Sequence, residues 1–174
     1  NKKTPSDIFT FIYVGRFLRD KGLIELYDAT CQLSKIRKDF KVIMLGDRYV
    51  KNESCITLKE LNKFKNNSFF EILTHSDEVE KIMVKSDCLV LPSYREGLSK
   101  VLIEAGSCGL PSIATNVPGC FDVIEHGYNG FLTEPKNSND LYEKMNLMLN
   151  LEKESINKLG FNARKKIENK FTIE

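Results

Sequence analysis

Two cations flank a short connector near the start of the chain, in residues 15–22 (GRFLRDKG). Arg16 and Lys21 follow a run of aromatic and β-branched residues that ends at Gly15, where the backbone can turn tightly. An arginine offers a planar fork of donors and a lysine offers a point charge, so the two together suit the oxygens of a diphosphate. The connector matches neither the P-loop pattern nor the Gly-x-Gly-x-x-Gly fingerprint. A solvated, charged turn between a strand and a helix has the same composition, so the spacing alone leaves both interpretations open.

A second segment, residues 91–105 (LPSYREGLSKVLIEA), combines a loop with the start of a helix. Ser99 fits the N-cap position, and the free backbone N–H groups of the helix that follows suit an anion. Glu96 lies in the loop, and Glu104 lies about a turn and a half into the helix. We expect Glu104 to be buried, and a buried carboxylate needs a partner, which the hydroxyls of a ribose could provide. Glu96 also fits an exposed loop acid, and Glu104 an acid paired with Arg or Lys. Nothing in the sequence indicates that the two face each other as in a glycosidase.

The elements that must position these segments alternate along the chain. Short apolar runs predict strands, and segments with apolar residues three or four apart predict helices. The predicted strands are residues 9–15, 40–46, 68–73, 87–91, 111–114 and 130–132. The predicted helices are residues 22–34, 56–65, 77–85 and 100–108, with a helical tail over 139–170. This alternation predicts an α/β fold with a parallel sheet of about six strands and helices on both faces.

The unusual connectors all follow predicted strands, and they should therefore share one edge of the sheet. They are residues 16–22, 46–49, 74–77, 92–99 and 116–119. In open α/β sheets, ligands bind in the crevice beyond the carboxyl ends of the strands. The sequence therefore predicts that the two cations and the two glutamates meet at this edge.

Length and composition narrow the function classes further. The chain has 174 residues, of which 41% are hydrophobic, and its 26 basic and 24 acidic residues leave a net charge of +2. One domain with this balance argues against a nucleic-acid binder. Five cysteines without a Cys-x-x-Cys pair predict free, buried thiols in a reducing compartment. No apolar stretch reaches the length of a membrane span and no signal peptide opens the chain, so we expect a cytoplasmic location.

The two motif segments resemble the C-terminal, donor-binding domain of the retaining GT-B glycosyltransferases of family 4, the group 1 glycosyl transferases. The family's Gly-Arg-x-x-x-x-Lys-Gly connector and its Glu-x7-Glu signature stand here at residues 15–22 and 96–104. Residues 96–132 are similar to the family almost throughout, and the resemblance extends over residues 9–173. It implies a Rossmann-like domain, one half of a GT-B fold.

The resemblance also implies roles for individual residues. Arg16 and Lys21 would bind the donor's diphosphate and neutralise charge as the nucleotide leaves. Glu104 would bind the ribose hydroxyls. Glu96 would hold the sugar and the distal phosphate together with backbone N–H groups of the three residues that follow it. The other implied donor-binding residues are Gly15, Thr74, His75, Gly97, Leu98 and Ser99.

His75 and Cys120 each keep an alternative interpretation, and Ser99 and Cys120 depart from the family pattern. Thr74 and His75 lie where the family contacts the nucleobase, but His75 equally fits a surface histidine at a helix start. Ser99 stands where many relatives have proline. Cys120 stands where many have glycine, and it fits either the rim of a pocket or a structural substitution.

For the whole protein, the resemblance implies transfer from a UDP-hexose or UDP-N-acetylhexosamine to a growing glycan or lipid-linked acceptor. Residues 20–22 and 117–120 are similar to the branch that builds bacterial capsules and lipopolysaccharide O-chains. No Asp-x-Asp motif or His cluster is present, so neither a metal nor another cofactor is expected. The chain begins at Asn1, which favours an excised donor domain (residues 1–174) that lacks the N-terminal acceptor domain and the final crossing helix.

Such a domain is expected to bind the donor, to be inactive alone, and to have its own missing acceptor domain as partner. In the longer protein, attachment to the inner face of the membrane stays open. The alternatives are a natural single-domain homologue, a non-catalytic module that binds nucleotide sugars, and a phosphorylase or synthase on the same fold.

Overall fold

The computed structural model describes residues 8–74 and 76–171 and forms six strands and six helices within these ranges. The strands are β1 Phe9–Val14, β2 Phe40–Leu45, β3 Phe70–Leu73, β4 Cys88–Leu91, β5 Ser112–Thr115 and β6 Gly130–Thr133. The helices are α1 Leu23–Ile36, α2 Leu58–Lys65, α3 Val79–Val84, α4 Lys100–Ser107, α5 Ser138–Asn150 and α6 Lys153–Lys170. All the strands and helices predicted from the apolar pattern are present.

The six strands form one parallel sheet in the order β3-β2-β1-β4-β5-β6. The predicted Rossmann-like α/β fold is therefore confirmed. All four residues of β4 and of β5 are buried, as expected for parallel strands covered on both faces. The strand order reverses between β1 and β4, which makes the crevice above these two strands the expected ligand position.

Helices cover both faces of the sheet. Helix α1 packs against α5, while α4 packs against α3 and α6. At the β3 end of the sheet, the ring of Tyr27 from α1 lies 5.1 Å from that of Phe64 in α2 and 5.8 Å from that of Phe70 in β3. These contacts fix the helices that begin at the carboxyl edge of the sheet.

The helical tail differs from the expected single segment. Leu151 and Glu152 adopt extended backbone angles, with ψ of 144° and 152°, and they separate α5 from α6. The predicted apolar stripe of α5 is buried as expected: Leu141, Met145, Met148 and Leu149. The break lets α5 pack on α1 while α6 packs on α4.

The five cysteines, all within the described residues, are free, as predicted. The predicted burial is confirmed for Cys88 and Cys120, and it is wrong for Cys31, Cys55 and Cys108, which are partly exposed. Over residues 8–74 and 76–171, no helix combines the length and the apolar character needed to cross a membrane.

Candidate functional site

The connectors that follow β1, β4 and β5 touch one another at the reversal point of the sheet. Gly22 has a φ of 72°, and a Cβ atom there would lie 2.0 Å from the backbone oxygen of Pro92. Gly119 has a φ of 82°, and a Cβ atom there would lie 1.6 Å from the backbone oxygen of Gly97. Only glycine tolerates both the left-handed backbone and the close approach. These two contacts hold the three connectors against one another at the carboxyl edge of the sheet, where such folds have their ligand crevice.

Lys21 and Glu96 meet in this crevice. The Lys21 Nζ atom lies 2.6 Å from Glu96 Oε1, and the two side chains are 22% and 13% exposed. Of the four side chains predicted to meet at this edge, the structure brings Lys21 and Glu96 into contact. The charge-assisted hydrogen bond orients Lys21 toward the β4 connector.

Tyr94 fastens the β4 connector to the β1 connector. Its backbone N–H donates to the Asp20 carbonyl at 2.8 Å, and its hydroxyl donates to the Glu25 carboxylate, whose oxygens lie 2.8 and 2.9 Å away. Burial and the bond to Glu25 raise the pKa of Tyr94 well above its usual value. The hydroxyl therefore stays protonated and acts as a donor.

Arg16 lies at the rim of the crevice, next to the connector after β2. Its side chain is exposed, and its guanidinium carbon lies 5.3 Å from the centre of the Tyr49 ring. Its carbonyl accepts a hydrogen bond of 2.7 Å from the buried hydroxyl of Tyr13. Burial, chiefly, raises the pKa of Tyr13 far above its usual value, so this phenol also remains a donor. Gly15 precedes Arg16, and its N–H donates to the Leu45 carbonyl at 3.0 Å.

The first turn of α4 opens onto the crevice. Ser99 occupies the N-cap position as predicted, but its side chain makes no capping hydrogen bond. Its Oγ atom is buried and has no partner among the described residues. Gly97 and Leu98, which precede it, are exposed. The backbone N–H groups of this turn are thus left without the expected side-chain cap.

The predicted burial of Glu104 is wrong. Helix α4 buries Leu102, Ala105 and Gly106, which lie on one side of the helix. Glu104 falls on the opposite side, given 3.6 residues per turn, and its side chain is exposed. Its carboxylate has no hydrogen bond or ion pair with another described residue, so the alternative of a buried, paired acid is also wrong.

The predicted nucleobase contacts lie partly outside the described chain. Thr74 follows the end of β3 and is exposed. His75 lies outside the described residues. No three His, Cys, Asp or Glu side chains within residues 8–74 and 76–171 lie close enough together to hold a metal ion.

Several partners of the site escaped the sequence reasoning because each is distant in sequence from the residue that it contacts: Glu25, Tyr49, Ser54 and Glu60. Arg19 forms a bidentate pair of hydrogen bonds with the Glu60 carboxylate, at 2.9 and 2.8 Å. One signal was readable, since Thr57 and Glu60 have the Thr-x-x-Glu spacing of a capping box, and the structure contains that box.

Comparison with known proteins places this architecture in a family. The model described as "Glycosyl transferases group 1" matches residues 1–166. The uncharacterized glycosyltransferase MJ1178 of Methanocaldococcus jannaschii is 39% identical over 94% of this chain and 44% of its own length. The capsular polysaccharide biosynthesis glycosyltransferase CapM of Staphylococcus aureus is 30% identical over 99% and 44%. An N,N'-diacetylbacillosaminyl-diphospho-undecaprenol alpha-1,3-N-acetylgalactosaminyltransferase of Campylobacter jejuni is 32% identical over 84% and 37%. The chain thus spans less than half the length of these relatives.

Solved structures agree on the fold. Anabaena Alr3699/HepE in complex with UDP superposes with a TM-score of 0.83 at 23% identity, covering 96% of this chain and 46% of that one. Its complex with UDP and glucose gives a TM-score of 0.81 at 25% identity, over 96% and 45%. The family model covers nearly the whole chain, and the three curated relatives are 30–39% identical to it. The chain therefore belongs to the group 1 glycosyl transferases.

Proposed function

We propose that this chain binds the sugar donor of a retaining glycosyltransferase, a UDP-hexose or a UDP-N-acetylhexosamine. The observation that carries the proposal is the meeting of Lys21, Glu96 and the uncapped first turn of α4 in one crevice. This crevice lies where the strand order reverses, the usual ligand position in such sheets. The Anabaena neighbour, whose structures contain UDP, has the same fold.

The diphosphate is the part of the donor that the crevice suits best. Breaking the bond between sugar and phosphate leaves negative charge on the diphosphate, so fixed positive groups stabilise the transition state. Lys21 is already oriented by Glu96, and Arg16 lies exposed at the rim. The first turn of α4 adds about 0.3–1 kcal/mol for a negative group. These groups take the place of a metal ion in our proposal.

The ribose and the sugar are assigned to the two glutamates. The Glu104 carboxylate is exposed and unpaired among the described residues, so it is available to accept hydrogen bonds from two vicinal hydroxyls. Glu96 is bound to Lys21 through one oxygen and retains the other for a sugar hydroxyl. The backbone N–H groups of Gly97, Leu98 and Ser99 are assigned, with Glu96, to the sugar and the phosphate next to it.

The acceptor is assigned from the relatives. Two of them are named for capsular polysaccharide biosynthesis and for a diphospho-undecaprenol substrate. We therefore assign a growing glycan or a lipid-linked glycan as acceptor, bound by a further domain of a longer protein at the cytoplasmic face of the membrane. The chain alone should bind donor without transferring sugar.

Calorimetric titration with UDP in the presence of EDTA tests donor binding. We expect binding without added metal and an affinity loss of at least about tenfold for Arg16→Ala or Glu104→Ala. Arg164→Ala is the matched control, because Arg164 pairs with Glu168 on the exposed face of α6. A folded chain that takes up no UDP would refute the proposal.

Transfer is tested in the longer protein. Glu96→Ala and Lys21→Ala should each abolish transfer of sugar from the UDP donor, while Arg164→Ala retains it. Full transfer activity with Glu96→Ala would refute the catalytic assignment.

A further inference from the structure

The connector that carries the two cations has little structure of its own. Between the end of β1 and the start of α1 it forms only a single 3-10 turn, Arg19–Lys21. Arg16 and Lys21 lie at opposite ends of this connector, so their relative position depends on what holds it. Cations contribute fully to binding and catalysis only when their positions are fixed before the ligand arrives.

The connector after β2 provides that support through the backbone. The Phe17 N–H donates to the Asp47 carbonyl at 2.9 Å, and the Phe17 carbonyl accepts from the Ile56 N–H at 3.1 Å. The Arg19 N–H donates to the Ser54 carbonyl at 2.7 Å, and the Asp20 N–H donates to the Ser54 hydroxyl at 3.0 Å. The two connectors therefore pair side by side along residues 17–20.

The Arg19 side chain ties this pairing to a helix. Its Nε and Nη2 atoms donate to the two Glu60 oxygens at 2.9 and 2.8 Å. Glu60 Oε2 also accepts from the Thr57 N–H at 2.6 Å, and Thr57 Oγ1 accepts from the Glu60 N–H at 3.1 Å. One carboxylate thus joins the cation-bearing connector to the first turn of α2. The hydrogen bond from Arg19 is the main reason that the pKa of Glu60 falls to about 2.

We propose that Arg19 and Glu60 form a positioning pair that holds Lys21 and Arg16 in place for the diphosphate. Arg19 then does not itself bind the nucleotide sugar, because its Nε and Nη2 atoms are hydrogen-bonded to Glu60. Lys21 is two residues away within the same 3-10 turn, so a shift of the Arg19 backbone also moves Lys21. This inference rests on the proposed donor binding.

The direction in which one substitution changes the UDP affinity distinguishes a positioning role from a purely electrostatic one. Glu60→Gln removes a negative charge near an anion site, so charge alone predicts equal or tighter UDP binding. Positioning predicts weaker binding, by about three- to tenfold, because the neutral amide cannot hold both arms of the Arg19 fork as a carboxylate does. Arg19→Lys keeps the charge but loses the fork, and should weaken binding to the same extent.

The experiment measures UDP and uridine binding to the folded chain for the wild type, Glu60→Gln, Arg19→Lys and the double variant. We expect UDP affinity to fall in both single variants with no further loss in the double variant, and uridine affinity to stay unchanged. Lys41→Met is the control, since Lys41 forms a 2.7 Å pair with Glu71 between β2 and β3. A parallel loss of uridine binding would show a general structural effect and overturn the proposal.

Two further outcomes are distinguishable. If the wild type binds UDP and Glu60→Gln binds it equally well or more tightly, the positioning role is wrong while donor binding stands. If the folded wild type does not bind UDP, donor binding itself fails, and the positioning role fails with it.

Discussion

Replacing Lys21 by methionine should weaken UDP binding, and adding Glu96→Gln should recover part of the loss. The Lys21 ammonium lies 2.6 Å from Glu96, whose side chain is only 13% exposed. Without Lys21 the Glu96 carboxylate stays in the crevice with its charge uncompensated. The diphosphate would then lose a cation and face an anion.

The size of both effects follows from the geometry. A charge-assisted hydrogen bond from Lys21 to a phosphate contributes about 1.5–3 kcal/mol, or about 10- to 150-fold in Kd. A phosphate oxygen bound about 2.8 Å from Nζ lies at most about 5.4 Å from Glu96 Oε1, because that atom is 2.6 Å from Nζ. At an effective dielectric constant of about 20 the repulsion is about 3 kcal/mol, and screening by solvent reduces it to about 1–2 kcal/mol. Glu96→Gln should therefore recover about 5- to 30-fold in the Lys21→Met background.

The assay is calorimetric titration of UDP at fixed ionic strength into the wild type, the two single variants and the double variant. Such a cycle isolates the coupling between the two residues. The Lys41–Glu71 pair has a similar length of 2.7 Å and lies between β2 and β3, so Lys41→Met with Glu71→Gln should leave the Kd within about twofold.

Two results would contradict the reasoning. An unchanged Kd for Lys21→Met would mean that Lys21 does not contact the diphosphate. A further loss of affinity when Glu96→Gln is added would mean that Glu96 acts as a direct ligand of UDP rather than as a competing anion.

Three further predictions concern stability and reactivity. In urea titrations, Gly119→Ala should lower the free energy of unfolding by more than about 3 kcal/mol. Gly127 also has a positive φ, but the space around it is open, so Gly127→Ala should lower the free energy of unfolding by only about 1 kcal/mol. The pKa of Glu60 is about 2 in the folded chain and 4.5 for the free group, so the ionised carboxylate stabilises the fold above pH 4.5 and this stabilisation is lost as the pH falls toward 2. Over that range, the urea midpoint of Glu60→Gln should therefore fall less steeply than that of the wild type. Burial raises the pKa of Cys120 to about 12, so a thiol reagent at about pH 8 should modify the partly exposed Cys31 and Cys55 in the folded chain and reach Cys120 only on unfolding.

The strands were predictable because a parallel sheet buries both faces and leaves continuous apolar runs. The ends of the strands were less predictable. Residues 68–73 predict a strand, but β3 begins at Phe70, since the Asn67 side chain accepts from the Phe69 N–H and the Asn67 carbonyl accepts from the Phe70 N–H. This local turn competes with the sheet, and its hydrogen bonds are not visible in hydropathy.

The site was predictable where chemistry lies within a motif and not where it depends on distant partners. The meeting of Lys21 and Glu96 followed from the rule that connectors share one edge of the sheet. The Arg19–Glu60 pair joins residues 41 positions apart, which no local spacing indicates. The error at Glu104 arose from its apolar neighbours in sequence, whereas burial depends on the side of the helix on which a residue lies.

The three basic side chains of the first connector, Arg16, Arg19 and Lys21, differ in what they contribute to binding. Arg19 is committed to Glu60, and Lys21 is compensated by Glu96. Arg16 is the one of the three that has no carboxylate partner among the described residues, since it lies over the Tyr49 ring. A charge that is already paired attracts an approaching anion weakly, because the pair is neutral at a distance. The long-range attraction of a diphosphate therefore depends on Arg16, whereas Lys21 contributes at contact distance, where its ammonium can donate to a phosphate oxygen while it remains bound to Glu96.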